Sequence, residues 1–307
     1  MVRPRRLRIG ATLEQLSDEE RKSLTHGHFW IPGAQRAVYR LAIETLNARA
    51  VPYVVAGAYA IYEHTGIYRQ TKDLDLFFEP QDVLPAAYAL RDAGFELQLE
   101  QAHWLAKAFK DGFMIDLIYG MGNGVSFIDG GWIELAHDGT LAGAPVKIAP
   151  AEELIWHRLF IHERHRQDMA DILHLILTQG DTLDWDRLIK RTGPHWPLLL
   201  AQLHLFLYVY PGFRSRVPRR VMEMLLDRTR EEVGRDDESD EALTNGPLIS
   251  RFSFAIDVQE WGFHDTRTER VRRALESTPV RQIINDSIWT NRQSARDRAE
   301  GTVEAAG

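Results

Sequence analysis

The chain contains no cysteine. Disulfides, thiolate zinc sites and a cysteine nucleophile are therefore excluded, and metal or covalent chemistry must draw on oxygen and nitrogen side chains. Also missing is any apolar run near the ~20 residues that cross a bilayer. The opening Met1-Val2-Arg3-Pro4-Arg5-Arg6-Leu7-Arg8 has basic residues but no apolar stretch after them, so neither a membrane span nor a signal peptide is expected. The expected compartment is the cytoplasm. Positive charge is short as well. Lys and Arg number 37 against 44 Asp and Glu, a formal charge of −7, which argues against a surface coated for long nucleic acids and leaves room only for a local basic groove. At 307 residues the chain is long enough for two compact units and a large core.

What the chain does have is acids on apolar strands. Asp73-Leu74-Asp75-Leu76-Phe77-Phe78 alternates, so Asp73 and Asp75 look out on one face of a strand while Leu74 and Leu76 pack on the other. A second apolar run, Met114-Ile115-Asp116-Leu117-Ile118, carries a third carboxylate that an adjacent strand can bring beside them. Crowded carboxylates repel and cost free energy to desolvate, so they persist where cations hold them or where they point into water. An Asp-x-Asp alone is more often a solvated pair. Oxygen-only ligands suit magnesium or manganese rather than zinc.

Upstream, Val51-Pro52-Tyr53-Val54-Val55-Ala56 reads as a short buried strand that runs through Gly57-Ala58 into a helix. A strand entering a helix through glycine aims free N–H groups and the positive end of the helix dipole at whatever lies above, which is a seat for phosphate. Taken together, the strand, Gly57-Ala58, the helix, Arg69-Gln70-Thr71-Lys72-Asp73-Leu74-Asp75 and a later strand with Asp116 resemble the nucleotidyltransferase superfamily of DNA polymerase β-like fold. The Arg-x-Thr-x-Asp-x-Asp form is most similar to the abortive-infection type (AbiEii, MenT-like) branch and its bacterial relatives. Ala151-Glu152-Glu153-Leu154-Ile155-Trp156-His157-Arg158 and Arg166-Gln167-Asp168-Met169-Ala170-Asp171 resemble the helical segments of that branch, so the likeness covers roughly residues 30–210.

The resemblance implies an α+β fold: a mixed-sheet nucleotidyltransferase core with flanking helices, followed by a helical C-terminal domain. It implies transfer of a nucleoside monophosphate from a nucleoside triphosphate to a hydroxyl. Two magnesium or manganese ions are expected at Asp73, Asp75 and Asp116, which are also the expected catalytic residues. Gly57, Ala58, Arg69, Thr71, Lys72, Arg158 and Asp168 are the expected nucleotide-binding residues. Lys72 has a plainer reading as a solvent-facing lysine. The acceptor is left open among an RNA end, a protein and a small molecule, and an antitoxin-like partner belongs to the toxin reading. Two positions depart from the pattern. Ala58 stands where many relatives have serine, which removes a hydroxyl and leaves backbone donors alone. Arg158 stands where the toxin-like branch has lysine, and a guanidinium keeps the charge in a fork suited to phosphate. Two rivals stay in view: a catalytically weak nucleotide-binding module, motivated by Ala58, and a metal-dependent phosphohydrolase. The second calls for a histidine at the acids, for which His103 is the nearest candidate.

Patterning divides the chain further. Residues 1–30 form a polar arm, with a helix cap at Ser17-Asp18-Glu19-Glu20. Residues 31–150 form the core, opening with a helix over 35–48 whose apolar face is Ala37, Val38, Leu41, Ala42 and Leu46. Inside it, 80–92 reads as a helix and 95–99 as a strand. Residues 103–109 and 113–119 form a hairpin around Lys110-Asp111-Gly112, and 141–148 forms a second hairpin. The glycine-rich stretch 120–124 lacks a Walker lysine and reads as a plain turn. Residues 151–233 read as helices over 152–164, 166–177, 185–191, 196–210 and 217–233. Within them Arg158, Arg164, Arg166, Asp168 and Asp171 admit two accounts, an interhelical ion-pair cluster or a substrate-facing set. His157, His162 and His165 read as surface residues. Residues 234–245 form a charged linker, 246–290 an extension that packs back on the body, and 291–307 a polar tail expected to be disordered.

Overall fold

A computed structural model of the chain describes residues 29–164, 166–234 and 242–290. The Ser17 cap, His165, most of the charged linker and the terminal tail lie outside the described residues. Among the described residues two compact units emerge, one running up to Pro150 and resuming from Arg267, the other from Ala151 to Thr266.

The first unit is built on a seven-stranded mixed sheet flanked by helices. Its order is β3-β4-β5-β2-β1-β7-β6, with β1 at Val54–Val55, β2 at Asp73–Phe77, β3 at Glu96–Gln101, β4 at Leu105–Lys110, β5 at Phe113–Ile118, β6 at His137–Leu141 and β7 at Ala144–Ile148. The pairs β2 with β5 and β1 with β7 are parallel, and the remaining pairs are antiparallel. Both hairpins are closed by two residues of positive φ, Asp111 and Gly112 in one and Ala142 and Gly143 in the other. That conformation gives the turn the same twist as its flanking strands.

Alternation along β2 does what the sequence implies: Leu74 and Leu76 are fully buried, while Asp73 and Asp75 on the other side are half-buried. Each buried leucine contributes about 1.5–3 kcal/mol, which pins the register and hence the direction in which the acids point. Helix α1 (Gly33–Ala48) packs on the sheet through Gln35, Val38, Tyr39, Ala42, Ile43 and Leu46. Its buried face therefore differs from the expected one, since Leu41 and Ala37 are exposed. Tyr39 wins its inward place because its hydroxyl finds partners in Gln35 and in backbone carbonyls of the sheet. Helix α2 (Gly57–Thr65) follows β1 directly. Helix α3 (Val83–Asp92) is shorter than expected, because its first residues, Pro80–Asp82, form a 3-10 turn.

The glycine-rich stretch is a packed turn. A Cβ on Gly124 would meet the backbone of Arg270 and Val271 within 3 Å, and one on Gly122 would press on Trp104. A short helix, α4 (Gly130–Glu134), follows, started by the Asp129 side chain accepting from Gly131 N–H. At the far edge Thr290 extends the unit by donating its N–H to Leu97 on β3, 3.0 Å, so the outer strand is partly covered.

The second unit is helical: α5 (Ala151–Arg158), α6 (Met169–Gln179), α7 (Trp185–Thr192), α8 (Trp196–Val209) and α9 (Arg219–Val233). The helix expected over 152–164 stops at Arg158. Two two-residue strands, β8 (His162–Glu163) and β9 (Arg166–Gln167), pair antiparallel in its place. Tertiary bonds override helical spacing here, because the Glu163 carboxylate accepts from Ser250 Oγ at 2.7 Å and from Arg251 N at 3.2 Å. Fully buried Glu153 is held by Arg187 and by Arg191 Nε at 2.8 Å. Among the described residues no helix is long and apolar enough to cross a membrane.

His103, 2 % exposed, lies between β3 and β4. Its Nε2 faces the Gly122 carbonyl at 3.1 Å, so that nitrogen carries the proton, and Nδ1 has no hydrogen-bond partner among the described residues. Burial, with Arg267 nearby, lowers its pKa to about 4. Part-buried His157 is neither at the surface nor ordinary: desolvation, with Arg158 and Arg166, lowers it to about 3. Between the unfolded value near 6.5 and these folded values the unfolded chain binds more protons at both groups, so each takes stability away as pH drops below about 6.5. Each group adds a slope of up to about 1.4 kcal/mol per pH unit. Urea unfolding at pH 7.5, 6 and 5 should show this loss, and His103→Gln should flatten it. A midpoint unchanged across that range would contradict the assignment.

Candidate active site

The acids meet because of register. Asp75 on β2 lies directly opposite Asp116 on its parallel neighbour β5, and Asp73 is opposite Met114 one pleat along. On the other side of β5, Lys107 of β4 is directly opposite Asp116, and Gln98 of β3 is opposite Lys107. One cross-strand row therefore reads Gln98, Lys107, Asp116, Asp75. It ends where Ala56 donates its N–H to the Asp75 carbonyl at 3.0 Å, one residue before α2 begins.

Gly57 makes that last step possible. Its φ of 57° is left-handed, and a Cβ there would lie 1.7 Å from Asp75 Oδ2. Only glycine lets the first turn of α2 close onto the carboxylate. Ala58, the next residue, is buried and offers no hydroxyl.

Each acid has a distinct setting. Asp73 Oδ1 accepts from Thr71 Oγ1 at 2.6 Å, which explains threonine two residues before it. Asp116 is 9 % exposed, and its Oδ1 lies 2.6 Å from Lys107 Nζ. Burial pushes the Asp116 carboxyl up, Lys107 opposes the rise, and Asp73 and Glu100 add to it. Buried Tyr39 and Tyr59 stand edge to face, 6.3 Å between ring centroids. Desolvation raises Tyr39 to about 12, with Asp73, Asp75 and Asp116 all contributing, and raises Tyr59 further still.

The donors are carboxylate oxygens, hard ligands that suit magnesium or manganese. Asp73 and Asp75, one pleat apart beside the glycine cradle, fit such an ion. Among the described residues, however, no group of three or more His, Cys, Asp or Glu side chains is gathered as a cation cage. Asp116 is turned to Lys107 and shares the face of the other two without joining them at one point. Of the remaining candidates in this unit, Arg69 and Lys72 are exposed, close in sequence to the start of β2.

Arg158 and Asp168 belong to the helical unit, and both are buried. Arg158 Nε lies 3.2 Å from Asp171 and 3.8 Å from Asp168. Asp168 also takes a two-pronged contact from Arg166 at 3.1 and 3.2 Å. Asp168 precedes α6 instead of sharing a helix face with Asp171, and both acids turn to Arg158.

Two residues of the site were missing from the sequence reading. Lys107 was legible: counting outward from the Asp111-Gly112 turn sets it opposite Asp116. Tyr39 was hidden, because helical spacing alone offered Leu41 and Ala37 for the same face.

Solved structures with low similarity include the antibiotic-resistance factor ANT(2'')-Ia, at 17% identity and TM-score 0.36 over 66% of this chain and 100% of that one. The lincosamide antibiotic adenylyltransferase LnuA stands at 15% and 0.33, over 46% and 94%. JHP933 from Helicobacter pylori stands at 12% and 0.35, over 71% and 98%. No curated protein matches the sequence. The sequence model of one family, described as "Uncharacterised nucleotidyltransferase", matches residues 34–207, more than half of the chain and the whole stretch that carries the acids and the glycine turn; the protein belongs to that nucleotidyltransferase family.

Proposed function

We propose that the protein transfers a nucleoside monophosphate from a nucleoside triphosphate to an acceptor hydroxyl, at the face that carries Asp73, Asp75 and Asp116. The observation that supports this most is the register of Asp75 against Asp116, with Gly57 closing the start of α2 onto Asp75. A divalent cation held by Asp73 and Asp75 would neutralise the triphosphate and favour in-line displacement. The N–H groups of the first turn of α2 receive phosphate oxygens, and Ala58 leaves that task to the backbone. Exposed Arg69 and Lys72 offset charge on the departing pyrophosphate. The acceptor oxygen bonds to the α-phosphorus, the bond to pyrophosphate breaks, and the hydroxyl proton passes to Asp116 Oδ2. Thr71 keeps Asp73 oriented. The burial and mutual pairing of Arg158, Asp168 and Asp171 favour the ion-pair account for those residues.

The Arg69-to-Asp75 spelling supports the abortive-infection type branch, in which an antitoxin-like protein is the expected partner. The acceptor is a hydroxyl of RNA, of a protein or of a small molecule, and the formal charge of −7 favours the last two. The test is incubation of the native protein with magnesium, each labelled nucleoside triphosphate and cell extract. Pyrophosphate release with label appearing on a defined acceptor supports transfer. Phosphate or pyrophosphate release with no labelled acceptor would instead mark a hydrolase. Tight nucleotide binding with no release would favour the binding module that Ala58 suggests.

A further inference from the structure

We propose that the Lys107 ammonium is a built-in cation of this site, occupying the place at Asp116 where a second divalent ion would sit, so that the site binds a single ion at Asp73 and Asp75. This rests on the nucleotidyl-transfer reading and changes its metal stoichiometry.

The argument starts from the sheet. Lys107 and Asp116 are directly opposed on antiparallel strands, and a second strand on the far side sets Asp75 opposite Asp116. Lysine, aspartate and aspartate thus alternate across three adjacent strands on one face. The ammonium is 2.6 Å from Asp116 Oδ1, a charge-assisted contact at the short end of its range. Its nitrogen also lies 3.4 Å from Met114 Sδ, and the two charged side chains are only 17% and 13% exposed. This ion pair is therefore shielded from water, unlike the solvent-screened pairs on the surface helices.

Charge bookkeeping gives the consequence. Three carboxylates on one face carry three negative charges, and Lys107 returns one of them. A divalent ion between Asp73 and Asp75 would balance the other two carboxylates of this face. A second divalent ion at Asp116 would have to meet the ammonium at close range, where like charges in a partly dry setting repel strongly. The absence of a gathered three-carboxylate cage among the described residues agrees with this division of labour. Lys107 also fixes which Asp116 oxygen stays open, since Oδ1 is taken and Oδ2 is left for the acceptor. In that sense Lys107 is a positioning residue for Asp116.

Manganese titration of the native chain, in the presence in turn of ATP, GTP, CTP and UTP analogues with a methylene bridge between the α and β phosphates, tests this by electron paramagnetic resonance. The expected result is about one manganese per chain with an uncoupled spectrum, where a pair roughly 3.5–4 Å apart would be spin-coupled. Lys107→Met should take up a second, coupled ion, and Lys107→Arg should keep the native stoichiometry. If Lys107→Met does not fold, Lys107→Gln serves in its place. Two coupled ions in the native chain overturn the proposal, and so does a single ion in the uncharged variants. Failure of the native chain to bind manganese with any of the four nucleotides defeats the transfer reading and the inference together. One ion with no pyrophosphate release leaves the lysine assignment standing and defeats transfer alone.

Discussion

Asp75→Asn should lower magnesium-dependent pyrophosphate release by about a thousandfold or more, roughly 4 kcal/mol of transition-state stabilisation, while the thermal unfolding midpoint stays near the native value or rises. Asparagine keeps the size and planarity of aspartate and removes the charge that binds a cation. The two halves of the expectation discriminate between a functional and a structural acid. A carboxylate that serves the fold through ion pairs destabilises the protein when neutralised, by about 3–5 kcal/mol for a buried pair. An acid kept for chemistry among like charges is an electrostatic burden, and neutralising it relieves repulsion from Asp73 and Asp116. Like charges near Asp75, a direct carboxylate neighbour in Asp116 and another two residues back on the same face, favour the second outcome. Pyrophosphate release and differential scanning calorimetry on the same preparation decide the matter. Full activity in Asp75→Asn, confirmed again in the double variant Asp73→Asn with Asp75→Asn, would falsify the proposed chemistry.

Much of the site could be read from sequence because strands obey a two-residue period. Once Asp73-x-Asp75 is placed between Leu74 and Leu76, sidedness follows, and the same logic places Asp116 between Ile115 and Leu117. Gly57 was legible for a related reason: glycine at a strand-to-helix junction marks a close backbone approach, although sequence could not say that the approach is to Asp75. The order of strands was not legible. That β5 pairs with β2, across more than thirty intervening residues, was expected from the family resemblance and not from any local pattern, because it depends on tertiary packing. Helix faces were read less well than strands. On α1 the apolar count favoured Leu41, yet the fold buries Tyr39, since a phenol that can satisfy its hydroxyl buries more surface than leucine. The stretch after Arg158 failed differently. Helical spacing there continues into 162–164, but Glu163 finds partners in Ser250 and Arg251, almost ninety residues away, and no local pattern signals that. Polar side chains with distant partners are the recurring blind spot; Lys107 differs, because a hairpin makes its partner local and its place opposite Asp116 follows from the turn.

Gly57→Ala should cost activity for a geometric reason that a control can isolate. Two penalties arise. The first is conformational: alanine at φ 57° adopts a left-handed backbone at a cost of about 1–2 kcal/mol. The second is collision. The new methyl would stand 1.7 Å from Asp75 Oδ2, 2.7 Å from Cγ and 3.1 Å from Cβ, and carbon and oxygen do not settle at such distances. Either the carboxylate rotates away from α2 or the first turn of the helix retreats, and both separate Asp75 from the phosphate seat by more than an ångström. A displacement of about 1 Å in a catalytic group is worth about a hundredfold in rate. Gly112, in the β4–β5 turn, supplies the control. Its φ is 80°, yet a Cβ there would meet nothing within 4 Å, so Gly112→Ala bears the backbone penalty without the collision. Both variants should therefore lose stability by about 1 kcal/mol or more in urea unfolding, and Gly57→Ala more than Gly112→Ala. Pyrophosphate release should fall at least about a hundredfold in Gly57→Ala alone. Equal activities in the two variants would mean that the closeness of Gly57 to Asp75 is a matter of folding, with no part in holding a nucleotide.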